Sequence, residues 1–178
     1  MKVIIKTERL YLREFTNDDA IHFYQMNLDE DVIKYTGDVP FNSEVEAKDF
    51  LSKYKQYELY KMGRWAVCDK QTNDFLGWCG LKYHPKEDIV EVGYRFYKKY
   101  WNNGYATEST KASIKYGFET LKLKTIYAHA HINNLASLKV IEKCKLQYVT
   151  QNIYDGMPAN LYKIENPYLR IRTRVEIA

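Results

Sequence analysis

The chain is short of cysteine. Cys68, Cys79 and Cys144 are its three, scattered through 178 residues with no CxxC pair. That spacing argues against a disulfide framework or a zinc site and for a reducing, cytoplasmic setting. No run of about 18 apolar residues occurs, so no membrane span is expected. The N-terminal stretch Met1-Lys2-Val3-Ile4-Ile5-Lys6 is too charged, and its apolar part too short, for a signal peptide. His-Glu-x-x-His, Walker-loop and nucleophile-elbow patterns are all missing. Charge is only mildly unbalanced, at +4, far short of a nucleic-acid footprint. Repeats, linkers and low-complexity blocks are lacking too, which leaves one domain long enough to bury a core.

What is there is ordinary for a soluble globular chain, with 46% apolar and 28% charged residues. The 17 tyrosines read as a compositional bias. Arg9 to Phe15 alternates apolar and polar residues, as a half-buried strand does. Thr16 or Asn17 then caps a helix through about Leu28, with Asp18 and Asp19 in its first turn. A loop is expected from Asp29 to Phe41. Ser43-Glu44-Val45-Glu46 fits a capping box, followed by a helix with Ala47, Phe50, Leu51, Tyr54 and Tyr57 on one face. Trp65 to Asp69, Phe75 to Tyr83 and Ile89 to Tyr97 read as a three-strand meander. A helix from Tyr105 to Leu121 follows, then a strand from Thr125 to His131. A short helix from Leu135 to about Lys143 and a hairpin around Asp155-Gly156 complete the domain. The order β-α-α-β-β-β-α-β-α-β-β describes a mixed α/β domain over residues 1–165, with 166–178 as an extension.

One stretch carries chemistry. Tyr100-Trp101-Asn102-Asn103-Gly104-Tyr105-Ala106-Thr107-Glu108 leads from a strand through a small-residue turn into a helix start. The first N–H groups of a helix have no intrahelical partner, and its dipole puts partial positive charge there. Such a turn can hold phosphate, with Gly104 letting backbone approach closely and Ala106 keeping the next turn thin.

The order of elements with this turn resembles the GNAT superfamily of acyl-CoA-dependent N-acetyltransferases over roughly residues 7–165. The nearest look is to the branch with the RimJ and RimL ribosomal-protein acetyltransferases. Four blocks carry the match: Thr7-Glu8-Arg9-Leu10-Tyr11-Leu12-Arg13, Glu91-Val92-Gly93-Tyr94, the turn just described, and Asn134-Leu135-Ala136-Ser137 with Val140-Ile141-Glu142-Lys143. The resemblance implies a mostly antiparallel central sheet with flanking helices, and acetyl-CoA as co-substrate with no metal. The central strands would splay apart after a bulge, opening a slot for the thioester. Backbone groups of Tyr94 and Phe96 would pair with the pantetheine arm. The N–H groups from Asn102 through Asn103, Gly104 and Tyr105 to Ala106 would hold the pyrophosphate, with Trp101 and Thr107 flanking them. Asn134 and Ser137 would contact the pantetheine or thiol end from the far side of the cleft. Asn102 and Lys145 stand where this branch commonly has glycine, so left-handed backbone is expected at both.

Amine attack on a thioester needs a neutral amine, a polarised carbonyl and a protonated leaving thiol. A lysine-like amine costs about 4–5 kcal/mol to deprotonate at pH 7, a peptide α-amine only about 1. Glu91 is the candidate base, acting directly or through water, on the strand face it shares with Gly93 and Arg95. The Tyr94 N–H is the candidate carbonyl donor and Ser137 the candidate thiol acid, although helix-start serines are more often caps. His129 and His131 share a strand face, which invites a metal or base reading but, without a carboxylate or cysteine at ligand spacing, reads as ordinary sheet surface. Asp29, Glu30, Asp31 and Asp38 read as solvated loop rather than as a steering patch. Cys79 and Cys144 read as buried thiols.

The resulting expectation is direct acetyl transfer from acetyl-CoA to a primary amine in a ternary complex. The acceptor is a protein N-terminus, a polyamine or another small amine. The rival reading is a non-catalytic acyl-CoA-binding regulator. No nucleic-acid or membrane partner is expected; a homodimer is compatible with exposed strand edges. Leu169 to Ile177 alternates like an added edge strand, and Arg170, Arg172 and Arg174 make the one short basic stretch.

Overall fold

The computed structural model describes residues 2–169. The strands are β1 (Val3–Lys6), β2 (Leu10–Arg13), β3 (Arg64–Asp69), β4 (Phe75–His84), β5 (Ile89–Phe96), β6 (Thr125–His131), β7 (Gln147–Tyr154) and β8 (Met157–Glu165). The helices are α1 (Ala20–Leu28), α2 (Glu30–Ile33), α3 (Glu44–Ser52), α4 (Gln56–Tyr60), α5 (Tyr105–Glu119) and α6 (Leu135–Lys143). The strands form one eight-stranded sheet in the order β1-β2-β3-β4-β5-β6-β8-β7. Every neighbouring pair is antiparallel except β5 and β6.

Strand alternation divides the core between the two sheet faces. Leu10 and Leu12 of β2, Trp65 and Val67 of β3, and Cys79 and Leu81 of β4 join Val92 and Phe96 under α5. Ala66, Cys68 and Phe75 face the other way, against Phe23 and Met26 of α1 and Ala47 and Leu51 of α3. Helix α5 lies close to the sheet because its inner face is small. Ser109, Thr110 and Ser113 are buried there, and a Cβ on Gly117 would stand 2.7 Å from Ile126 Cδ1.

Several local expectations change. Val3–Lys6 forms an edge strand paired with β2. Part of the presumed loop after Asp29 is the short helix α2, because the Asp29 carboxylate accepts from the Asp31 N–H and caps it. The helix after Ser43 breaks at Lys53 instead of running on to Tyr57; Tyr54 and Tyr57 turn their hydroxyls to the backbone of Arg64. The capping box is half made: Ser43 Oγ accepts from the Glu46 N–H at 3.3 Å, but the Glu46 carboxylate takes the Asn42 N–H instead of that of Ser43. Asn102 and Lys145 do adopt left-handed backbone, with φ of 62° and 61°. Asn166, assigned to the extension, is buried and its side-chain amide donates to the carbonyls of Phe118 and Leu123, tying it to the α5–β6 connection. Of the expected strand from Leu169 to Ile177, Leu169 is helical, its N–H donating to the Asn166 carbonyl, and the rest, with the three arginines, lies outside the described residues.

Candidate active site

The slot between β5 and β6 arises from how the two parallel strands diverge. They pair at a single position, Glu91 opposite Tyr127. The register of β5 with β4 runs unbroken from His84–Ile89 to Gly77–Phe96, so no bulge interrupts that pair. The Leu81 N–H donates to the Gly63 carbonyl on the β3 side. In an antiparallel ladder this turns the backbone groups of Val92, opposite Leu81, away from β4, and those of Tyr94 and Phe96 with them. They face β6 where β6 has already moved away. The Phe96 carbonyl accepts from the Trp101 indole N–H at 3.0 Å. The ladder supplies no partner for the Tyr94 N–H.

Beside this slot lies a cleft of about 740 Å³ lined by Tyr94, Phe96, Trp101, Asn102, Gly104, Tyr105, Ala106, Thr107, Asn134 and Ser137. Of the sequence-predicted donor-site residues, Asn103 alone is turned aside, its amide donating to the Tyr100 and Trp101 carbonyls. Gly104 precedes α5 at φ 80°, which presents the first amides of that helix to the cleft. The loop is braced from behind. Arg9 donates to the Asn103 carbonyl and to Glu108, lies over the Tyr105 ring, and Thr7 donates to Glu108 at 2.6 Å. Burial alone would raise the Glu108 carboxyl; hydrogen bonds from Thr7 and Arg9 outweigh it and hold it below the usual range. The Thr7-Glu8-Arg9 block is thus a brace for the turn. On the far wall, Asn134 caps α6 by accepting from the Ser137 N–H at 3.1 Å.

A second cavity, of about 460 Å³, opens on the opposite sheet face beneath α1 and α3. Phe15, Phe23, Phe41, Phe50, Tyr54 and Trp78 give it an aromatic wall. Glu91, Gly93 and Arg95 line it together, which answers which way that strand face points. The two cavities share Tyr94, Asn134 and Ser137, and the Tyr94 hydroxyl donates to Ser137 Oγ at 3.0 Å. Burial pushes the Tyr94 phenol up despite that bond.

Glu91 is buried and held by four donors. His129 Nδ1 lies 3.2 Å from Oε1; Arg64 Nη2 (2.9 Å), His84 Nε2 (3.1 Å) and the Tyr154 hydroxyl (3.0 Å) converge on Oε2. Burial alone would raise this carboxyl; the bonds from His129 and His84 and the Arg64 charge outweigh it and hold it well below the carboxylate range. Tyr154 stacks on the His129 ring at 3.8 Å, its own phenol pushed up by burial and by the Glu91 charge. Gly93 makes the cluster fit: a Cβ there would stand 2.6 Å from Arg64 Nη2. Arg64, His84, His129 and Tyr154 were not among the predicted site residues. The pairing of His129 with His131 on one face was the available signal, and it read as plain sheet surface. Cys79 and Cys144 are buried, their thiols raised by burial, that of Cys144 to about 11. Asp31 and Asp38 pair with Lys98 and Arg95.

A splayed parallel pair, a braced glycine turn into a helix and a cavity on each side of the slot make up the candidate site. The chain belongs to the GNAT acetyltransferase family: the model of the Acetyltransferase (GNAT) domain matches residues 9–147. Its mixed α/β sheet with flanking helices is the fold expected from sequence. It is 31% identical over 143 residues to an uncharacterized N-acetyltransferase, p20, of Bacillus licheniformis, covering 79% of this chain and 80% of that one. A GNAT-family acetyltransferase structure from Bacillus anthracis superposes with a TM-score of 0.78 at 27% identity, over 91% of this chain and 98% of that one. The structure of RimL, a ribosomal L7/L12 alpha-N-protein acetyltransferase in complex with coenzyme A, has a TM-score of 0.76 at 15% identity, over 92% and 98%.

Proposed function

We propose that this protein is a cytoplasmic, RimJ/RimL-like enzyme that transfers acetyl from acetyl-CoA to a primary amine by direct attack in a ternary complex. The observation that carries the reading is the meeting of the two cavities at Tyr94 and Ser137, across a slot edged by the Tyr94 N–H, which points away from β4 beyond the single β5–β6 pairing. The donor cleft fits acetyl-CoA. Its braced turn offers helix-start amides to a pyrophosphate, and the strand edge at Tyr94 and Phe96 offers backbone groups to an amide-bearing arm. Acetyl-CoA supplies the activated acyl group. The chain supplies the Tyr94 N–H for the carbonyl and the Ser137 hydroxyl for the departing sulfur.

For the acceptor we favour an α-amine, such as a peptide N-terminus. Glu91, with four donors on its oxygens, is poorly suited to take a proton directly, and an α-amine needs the weakest base of the candidate acceptors. Of the two acidic loop residues on the cavity wall, Asp38 and Asp155, Asp38 is already paired with Arg95, which leaves a polyamine fewer carboxylates than it has charges. RimL is named for acting on such an α-amine. Glu91 then serves the reaction through the groups it holds.

The test is calorimetric titration with acetyl-CoA beside a Gly104→Glu variant, followed by a thiol-release assay against peptides with free N-termini and against spermidine. Micromolar binding lost in the variant, and faster thiol release with peptides, is the expected result. Absence of binding to the wild-type protein would remove the acetyltransferase reading; binding without release to any amine would leave a regulator.

A further inference from the structure

We infer that His129, positioned by Glu91, is the group that accepts the proton of the attacking amine. This rests on the acetyl-transfer reading above. Glu91 accepts from His129 Nδ1 on one oxygen and from Arg64, His84 and Tyr154 on the other, so four donors hold its charge and disfavour its taking up a proton. A carboxylate bound at Nδ1 fixes the imidazole as the Nδ1–H tautomer, and the lone pair then sits on Nε2. The ring is clamped flat against Tyr154 and lines the acceptor cavity.

What stands at Nε2 is informative. The Asn152 amide nitrogen lies 3.4 Å away, a long contact, while Asn152 Oδ1 is buried without a hydrogen-bond partner. An orphaned buried acceptor costs free energy unless another state of the site uses it. Turning the amide about its last bond brings Oδ1 to Nε2, where it accepts from an imidazolium. Asn152 is thus suited to both charge states of the ring. The charged and titratable groups around His129 are Glu91 from β5, with Arg64 and His84 behind it, Tyr154 from β7, and His131 on the same strand face, stacked on Tyr35.

In the step, the amine nitrogen forms its bond to the thioester carbonyl carbon and the carbon–sulfur bond breaks. The sulfur leaves with the electron pair as thiolate. The proton shed by the nitrogen passes to His129 Nε2, directly or through one water.

The experiment is the pH profile of kcat/KM for trialanine and for spermidine, followed with 4,4′-dithiodipyridine, in wild type, His129→Gln and Asn152→Ala. His129→Gln should lower kcat/KM for the amine by about 10²–10³-fold and remove one ionisation from the acid limb, leaving the amine's own. KM for acetyl-CoA should stay within about twofold, because His129 does not line the donor cleft. Asn152→Ala should move the acid limb to lower pH, since the imidazolium loses its acceptor. A loss under about threefold with an unchanged limb overturns the inference and leaves acetyl transfer intact. Wild-type protein that turns over neither amine overturns the acetyl-transfer reading, and this inference with it. Independently of any acceptor, nitrogen-detected NMR of the wild type should show the neutral His129 ring protonated at Nδ1; protonation at Nε2 would also overturn it.

Discussion

Replacing Gly93 by alanine isolates the packing that shapes the cavity beneath α1 and α3, the proposed acceptor site. The backbone at Gly93 is not left-handed, so the substitution carries no conformational strain of its own. Its Cβ would lie 2.6 Å from Arg64 Nη2 and 2.8 Å from Cζ, too close for either to stay. The guanidinium is not free to yield, because it donates to the Gly80 carbonyl at 2.6 Å and to the Glu91 carbonyl and carboxylate at 2.9 Å. Breaking a buried ion pair by removing one partner costs about 3–5 kcal/mol, and displacement should cost somewhat less. Stiffening the unfolded chain returns about 0.4–1 kcal/mol. The net expectation is a loss of about 2–3 kcal/mol, measured as a shift in urea midpoint at constant m-value. The decisive comparison is the same substitution in an Arg64→Met background, where no guanidinium remains to collide with. There the penalty should vanish, giving a coupling energy of about 2 kcal/mol in the double-mutant cycle. An equal loss in both backgrounds, or a loss below about 0.5 kcal/mol in the wild type, would refute the account of why glycine stands at this position.

Three further outcomes follow from the same geometry. Glu91 has a folded pKa below its unfolded value, so its stabilisation is fully present above about pH 4.3 and is lost as pH falls through the folded value. The urea-midpoint gap between wild type and Glu91→Gln should therefore be constant near neutrality and narrow below about pH 4.3; a gap that widens there contradicts the depressed carboxyl. Asp19 is buried and accepts from Arg13 Nη1 and Nη2 at 2.7 Å each, so Asp19→Ala should destabilise by about 3–5 kcal/mol, and an unchanged melting curve would show the pair to be dispensable. Glu108→Ala removes the brace behind the turn without touching the core; calorimetry should find acetyl-CoA affinity about tenfold weaker, equivalent to about 1.4 kcal/mol, with nearly unchanged stability, and undiminished affinity would mean the turn holds its shape unaided.

Local chemistry made much of this protein legible from sequence. The alternation of Leu10 and Leu12 with Tyr11 and Arg13, the small inner face of α5, and Gly104 before a helix start each state their own structure within one or two turns of chain. The family resemblance added the donor cleft, because the residues lining that cleft lie mostly in two contiguous blocks. The additional helices were harder to read. Helix α2 is a single turn fixed by one aspartate cap, and α3 ends where Tyr54 and Tyr57 find the backbone of Arg64, a partner that no local pattern announces.

The acceptor side belongs to tertiary structure. Glu91 alternates with Val92 whichever way the sheet is covered, and only the packing of α1 and α3 over one face makes its side a cavity. Its partners come from β3, β4, β6 and β7, at separations of 27, 7, 38 and 63 residues. Propensity and periodicity act over a few residues and cannot bring such groups to one carboxylate. The sequence by itself determined most of the elements, the glycine turn and the family. The three-dimensional arrangement decided that Glu91 is held by four donors and that His129, which looked like plain sheet surface, stands against it with its Nε2 toward Asn152, because those contacts exist only once distant strands are side by side.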